Sequence, residues 1–412
     1  MCLNRHLLAF LSVVTLTSFL SCSKNVINPK ITPFPPKTTD SLTIDTSKAT
    51  LAVKLDTAIA INTTVFQQGI NGYRSYRIPV LLNTQNNSLL AFCEGRRSLN
   101  DDSGYIDVIF KRSTDGGKTW SNQKVIFTDG ANTCGNPAVV QDKKTGTIWL
   151  LMSNNKDNDG EQTIVANNES NGRTVWISSS KDDGVTWSVP TEITSSVKDN
   201  SMYWYATGPA TGIQIQHGLY KGRLIVPCDH SYLNAANQPI NGSHVVYSDD
   251  DGISWHAGGN AGPNSNECQV VELDNGKGTL LMNSRYYGGQ DVRAQSYSSD
   301  GGVTWTNPAP IMSLSDPICE GSIFRYSWAS SKIKSCLLLS NLDNNSIRKN
   351  LTIKRSDDAG NTWSFVSTVN RGPSGYSSLS VLDNDAIAIL YECGKLNPYE
   401  SIVFKSFLPQ GK

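Results

Sequence analysis

Five copies of one eight-residue pattern, Ser-x-Asp-x-Gly-x-[Thr/Ser]-Trp, constrain this chain more than any other feature. They read STDGGKTW (Ser113 to Trp120), SKDDGVTW (Ser180 to Trp187), SDDDGISW (Ser248 to Trp255), SSDGGVTW (Ser298 to Trp305) and SDDAGNTW (Ser356 to Trp363). Each unit joins an Asp that accepts from nearby backbone N–H groups, a Gly free to adopt positive φ, and a Trp placed to cover the turn. That is hairpin-turn chemistry. Successive Ser starts lie 67, 68, 50 and 58 residues apart, enough for one four-stranded propeller blade plus loops per repeat. Between the repeats run short apolar or alternating segments bounded by Gly, Asn, Asp or Pro, such as SLLAFC (Ser88 to Cys93), TIWLLM (Thr147 to Met152) and AIAILY (Ala386 to Tyr391). Their length and flanks predict strands, and no long amphipathic helix is evident, so the chain is predicted to be all-β.

Lys+Arg and Asp+Glu are equal at 36 each. A formal net charge of zero gives no electrostatic case for nucleic acid or an anionic membrane surface as partner, so any anion specificity must be local. The five histidines, His6, His217, His230, His244 and His256, show no metal-ligand spacing, and the nine cysteines form no C-x-x-C pair. The sequence therefore predicts no metal site and no cofactor.

The N-terminus reads as a targeting segment. Arg5 and His6 precede an apolar run from Leu7 to Leu20, too short to span a bilayer and suited to a signal-peptide core. The run closes with Phe19-Leu20-Ser21-Cys22, which resembles a bacterial lipobox and implies lipidation of Cys22 after cleavage. Residues 1–22 are thus read as a lipoprotein signal, 23–60 as a Pro/Thr/Ser-rich tether unable to bury a core, and 61–412 as the folded domain. The expected location is exported and membrane-anchored, periplasmic or at the cell surface, with membrane association only through the lipid.

The repeats are identified as Asp boxes, and the motifs among them resemble those of the bacterial and animal exo-sialidases (neuraminidases). These motifs are YRIP (Tyr76 to Pro79), CEGRRSLNDDSGYID (Cys93 to Asp107), CGNPAVV (Cys134 to Val140), WYATGPATGIQ (Trp204 to Gln214), NECQVVEL (Asn266 to Leu273), LLMNSRYYG (Leu280 to Gly288), NNSIRKNLTIKRS (Asn344 to Ser356) and RGPSGYSSLSVL (Arg371 to Leu382). The resemblance spans Phe66 to about Phe407. It implies a six-bladed β-propeller of four-stranded antiparallel sheets, with the boxes in outer hairpins away from the catalytic face. Five boxes leave one blade unmarked, expected to be closed by the two ends of the domain.

Sialic acid carries a carboxylate on its anomeric carbon, and the forked donors of arginine suit a carboxylate best. The resemblance supplies three: Arg77, Arg285 and Arg348, the last with Lys349, Arg355 and Arg371 as neighbouring alternatives. An anionic nucleophile approaching that carbon would be repelled by the substrate's own charge, whereas a neutral phenol is not. Sialidases accordingly use tyrosine. Tyr376 matches that position, and Glu267 matches the base that activates it, with Glu272 as the local alternative. The general acid/base falls on the loop after Arg96. Counting back from Lys111-Arg112-Ser113 favours Asp102, while counting forward from Arg77 or Arg96 fits Asp101, and Asp102 is the choice adopted. Arg96, Asn136 and Tyr205 complete the substrate contacts that the resemblance implies.

The function expected is retaining exo-α-sialidase activity on terminal sialic acid of glycoproteins, glycolipids or oligosaccharides. The alternatives are a non-catalytic sialoglycan-binding propeller and a relative that transfers the sugar or forms its anhydro product.

Overall fold

The computed structural model of the chain describes residues 55–98, 102–167, 169, 172–330 and 333–409. The signal segment with Cys22, nearly all of the tether, and Asp101 lie outside the described residues. The described chain is all-β apart from two short helices, Glu161–Ala166 and Thr194–Val197. No helix among the described residues is long and apolar enough to cross a membrane.

The strands run as successive antiparallel meanders. The first consists of Ser75–Asn83, Leu89–Arg96, Ile106–Ser113 and Lys124–Phe127; a later one consists of Ser265–Glu272, Leu280–Tyr286, Val292–Ser298 and Ala309–Ser315. Adjacent meanders are joined at points by bridging pairs or by a shared strand. The 18-residue strand Ser364–Val381 is the clearest case: its first half pairs with Lys349–Ser356 and its second half with Ile387–Cys393. The terminal meander is completed by the N-terminal strand Leu55–Gln67, which pairs antiparallel with Ser401–Pro409. That strand begins ahead of residue 61, where the sequence analysis starts the domain. Its β-branched alternation (Thr57, Ile59, Ile61, Thr63) is strand-forming even though the segment before it cannot bury a core.

All five Asp boxes adopt one bonding scheme. In the first, Ser113 Oγ donates to Asp115 Oδ1 at 2.8 Å and accepts from Gly117 N at 3.0 Å, while Asp115 accepts from the backbone N–H of Thr119 at 3.0 Å and from its hydroxyl at 2.6 Å. Trp120 Nε1 also donates to Gly117 O, as Trp255 and Trp305 do to their box glycines, whereas Trp187 and Trp363 cover their turns without this bond. The box glycine does two things. Its φ is positive, 92° at Gly117, and its missing side chain lets the turn seat on a neighbouring sheet: Gly117 on Phe404, Gly184 on Leu90, Gly252 on Trp149, Gly302 on Val245 and Gly360 on Leu281. Each turn therefore rests on the preceding meander, and the first rests on the last. The result is a propeller-like ring whose apolar clusters, such as Leu90, Phe92, Phe110, Val139 and Leu150, fill the spaces between neighbouring sheets.

Candidate active site

The innermost strands bring chemistry to one end of the ring through a shared local device. Four of them carry a β-bulge, where the register slips between Arg77 and Val80, between Gly135 and Ala138, between Ser265 and Cys268, and, midway along the strand Ser364–Val381, between Ser374 and Ser377. Ile78 and Asn136 take positive φ there, 62° and 51°. A bulge re-aims side chains that a regular strand would point into the sheet packing. Arg77, Asn136, Glu267 and Tyr376 all sit in these bulges. The second strands add Arg96 and Arg285 at their ends, and Arg348 precedes the strand Lys349–Ser356.

Arg96, Asn136, Glu267, Arg285 and Tyr376 line a pocket of about 570 Å³ together with Asp102, whereas Arg77 and Arg348 are not part of its lining. At its floor, Tyr376 Oη donates to Glu267, 2.7 Å from each carboxylate oxygen. Arg285 Nη1 donates to Glu267 Oε2 at 3.0 Å and to Tyr376 Oη at 3.2 Å. Burial, then the charge of Glu267, push the phenol well above its ordinary value, against the opposing pull of Arg285 and Arg348. Arg77 lies 5.1 Å from the Tyr376 ring and 4.1 Å from the Tyr399 ring; Arg348 lies 5.4 Å from the Tyr376 ring and donates to Tyr399 Oη at 3.0 Å. Three guanidinium groups thus gather around one phenol. Among the neighbouring alternatives, Arg355 pairs with Asp357 at 2.6 Å, while Lys349 and Arg371 are exposed.

Sequence reasoning did not find the carboxylate that holds this cluster. Glu392, wholly buried, accepts from Arg77 Nε at 2.7 Å and Ile78 N at 2.8 Å with one oxygen, and from Tyr376 N at 2.9 Å with the other. It fixes both bulges at once. The signal was a single charge ending the apolar strand Ile387–Cys393.

Asp102 stands at the rim, its side chain 76% exposed, with Oδ1 2.9 Å from Arg96 Nη2 and 4.0 Å from Arg77 Nη1. Partial burial by the pocket walls works to raise its carboxyl, but Arg96 and then Arg77 outweigh that and hold it below the ordinary carboxylate value. Arg96 is itself fixed by Glu94, which takes its Nη2 at 2.6 Å and Nε at 2.9 Å. Glu94 and Arg96 are two apart on one strand, so alternation puts both on the same face. The second Glu94 oxygen accepts from Asn136 N at 2.8 Å. Asn136 Oδ1 accepts from the buried Arg173, whose guanidinium stacks 3.8 Å from the Trp204 ring centre. Asn136 lines the pocket.

Tyr205 does not. It is fully buried, its hydroxyl donating to Val197 O at 3.3 Å and its ring packed among Val175, Val226 and Trp255. Trp204 lines the pocket in its place. Neighbours on a strand face opposite sides, and the Tyr205–Thr207 strand turns Tyr205 inward. Glu272, the alternative base, accepts from Gln216 N at 2.6 Å and His217 N at 2.9 Å instead, and has no part in the pocket.

Fold and pocket together define a propeller-like protein with an arginine-rich cleft built around a tyrosine–glutamate pair, suited to a small ligand that bears a carboxylate. Residues 87–389 match the BNR repeat-like domain family. The chain is 31% identical over 372 residues to a sialidase of Bacteroides fragilis, covering 85% of this chain and 66% of that protein. It is 32% identical over 338 residues to a sialidase of Micromonospora viridifaciens, covering 79% of this chain and 51% of the other. The chain thus spans about half to two thirds of the length of these relatives. Its fold is similar to the solved structure of a Hadza microbial sialidase, with a TM-score of 0.71 and 29% identity over 85% of this chain and 68% of that one. The chain belongs to the sialidase family with BNR repeats.

Proposed function

We propose that this protein is a retaining exo-α-sialidase, that its meanders make six four-stranded blades, and that Tyr376 is its nucleophile. The observation that carries the reading is the Tyr376 hydroxyl held at 2.7 Å from Glu267 and 3.2 Å from Arg285, with Arg77 and Arg348 5.1 and 5.4 Å from the Tyr376 ring. Arg77, Arg285 and Arg348 bind the substrate carboxylate, which orients the anomeric carbon over the phenol. Tyr376 Oη attacks that carbon as its proton passes to Glu267. Asp102 gives a proton to the departing glycosidic oxygen. The tyrosyl–sugar bond is then broken by water, which loses a proton to Asp102, while Glu267 returns its proton to the phenolate oxygen.

Asp102 begins in the wrong form for an acid, because Arg96 and Arg77 favour its ionised state. The bound substrate corrects this. Its carboxylate offsets the charge of Arg77, and the sugar strips water from the rim, and both effects raise a carboxyl. Export with a lipid on Cys22 belongs to the same proposal. A fluorogenic aryl α-sialoside tests the activity: the protein should release fluorophore and free sialic acid in equal amounts. Binding of sialic acid without release would make the protein a sialoglycan-binding propeller instead.

A further inference from the structure

The three arginines proposed to bind the substrate carboxylate are anchored by groups of different charge. Arg77 donates from Nε to the carboxylate of Glu392 at 2.7 Å, and Arg285 from Nη1 to that of Glu267 at 3.0 Å. Arg348 makes no ion pair among the described residues, and its Nη1 donates instead to the neutral hydroxyl of Tyr399 at 3.0 Å. The ring of the same tyrosine lies against Arg77, its centre 4.1 Å from Cζ. One side chain thus spans two cations of like charge. Tyr399 sits on the turn 394–400 between the strands Ile387–Cys393 and Ser401–Pro409. That turn is tied to itself: Glu400 accepts from the backbone N–H groups of Lys395, Leu396 and Asn397 at 3.0, 2.7 and 3.0 Å, and Tyr399 N donates to Asn397 Oδ1 at 2.9 Å. Gly394 lets it close so tightly, since a Cβ there would lie 2.1 Å from Asn397 O.

We propose that Tyr399 is a positioning residue for the carboxylate clamp: its hydroxyl holds the Arg348 guanidinium in place without neutralising it, while its ring packs on Arg77. A free arginine side chain must give up several rotatable bonds when it binds a ligand, and an anchor set beforehand removes that cost. A carboxylate in this place would anchor Arg348 more strongly but cancel the charge that the substrate needs, whereas a phenol leaves it available. The electron-rich ring face also offsets part of the repulsion between Arg77 and Arg348. The inference rests on the sialidase reading and deepens it.

The test measures binding of the 2,3-didehydro analogue of sialic acid by titration calorimetry, and turnover of an aryl α-sialoside, in Tyr399→Phe, Arg348→Ala and the double variant. Tyr399→Phe keeps the ring on Arg77 and loses only the hydroxyl. It should weaken the analogue about 10-fold and raise KM by a similar factor with a much smaller fall in kcat, because the carboxylate is gripped in ground state and transition state alike. Once Arg348 is gone the hydroxyl has nothing to hold, so adding Tyr399→Phe to Arg348→Ala should change affinity by less than about 2-fold. A residue that serves only the fold would lose as much in both backgrounds. Tyr399→Leu, which removes the ring as well, should weaken binding further in both. Unchanged or tighter binding by Tyr399→Phe overturns the inference, tighter binding meaning that the hydroxyl competes with the ligand for Arg348. A loss that persists undiminished without Arg348 overturns it too. Each of these outcomes leaves the sialidase reading intact, whereas an unaltered protein that neither binds the analogue nor turns over the sialoside removes both.

Discussion

The Tyr376 hydroxyl lies 2.7 Å from both carboxylate oxygens of Glu267, a residue 109 positions earlier in the chain. Burial and Glu267 itself hold the phenol well above its ordinary value, so no free phenolate waits in the pocket. In the proposed mechanism the proton leaves as the bond to carbon forms. Arg285, 3.2 Å from the same oxygen, would face the charge that this mechanism develops there.

The three arginines should separate by what else each one holds. Arg77 neutralises the wholly buried Glu392, so Arg77→Ala leaves an unpaired buried carboxylate and should cost roughly 3–5 kcal/mol in stability as well as ligand affinity. Among the described residues the Arg348 side chain donates a hydrogen bond only to the hydroxyl of Tyr399. Arg348→Ala should weaken a sialic-acid analogue by on the order of 100-fold with little change in unfolding midpoint. Titration calorimetry and urea unfolding on both variants check the contrast.

Loss of the acid should depend on the leaving group. Asp102→Ala should lower kcat/KM on a natural sialyl glycan by on the order of 10²–10⁴-fold and far less on an aryl sialoside whose phenol departs unaided. Steady-state kinetics on both substrates, with Asp101→Ala in parallel, decide the assignment. The opposite pattern moves the role to Asp101.

His230 and His244 form a buried pair with their Nδ1 atoms 2.9 Å apart. Burial lowers His230 to about 4, against the partly offsetting charge of Asp199, and lowers His244 further below its ordinary value. The unfolded chain gains protons as pH falls through 6.5, whereas folded His230 does not until about 4. Its contribution is therefore complete above pH 6.5 and lost as the pH falls, amounting to about 3 kcal/mol by pH 4. Urea midpoints across that range should decline less steeply in His230→Gln. An unchanged slope would contradict this assignment.

Two adjacent glycines of the first Asp box should respond differently to alanine. Gly116 and Gly117 both have positive φ, 73° and 92°, but a methyl at Gly116 meets nothing within 4 Å while one at Gly117 would overlap the Phe404 ring of the last sheet. Gly116→Ala should cost about 1 kcal/mol from backbone strain alone. Gly117→Ala should cost about 3 kcal/mol or more, because it forces the first and last meanders apart. Thermal unfolding of the two variants measures the difference.

The Asp boxes were fully legible in the sequence because every bond of the scheme lies within eight residues, from Ser113 to Trp120 in the first copy. The arginines, Tyr376 and Glu267 were legible through motifs, since each sits at a bulge or strand end with recognisable flanks. Glu392 was not, because its partner Arg77 lies 315 positions away and nothing local marks the contact. Trp204 and Tyr205 were exchanged for the reason that makes strands hard to read: a shift of one residue reverses the face. Arg173 was missed because a cation stacked on Trp204 and bonded to Asn136 and Asn155 is defined only by residues from several strands.

The central claim, that Tyr376 attacks the sugar, is tested most directly by trapping the covalent intermediate. A fluorinated sialosyl fluoride, whose ring fluorine slows release by destabilising the transition state, is incubated with the protein and the product is digested and weighed. The account predicts one added sugar on the peptide containing Tyr376, absent from Tyr376→Phe, which should still bind a sialic-acid analogue while losing on the order of 10³-fold or more in turnover. An adduct on Asp102 or Glu267, or continued turnover of an aryl sialoside by Tyr376→Phe at the unaltered rate, would contradict it.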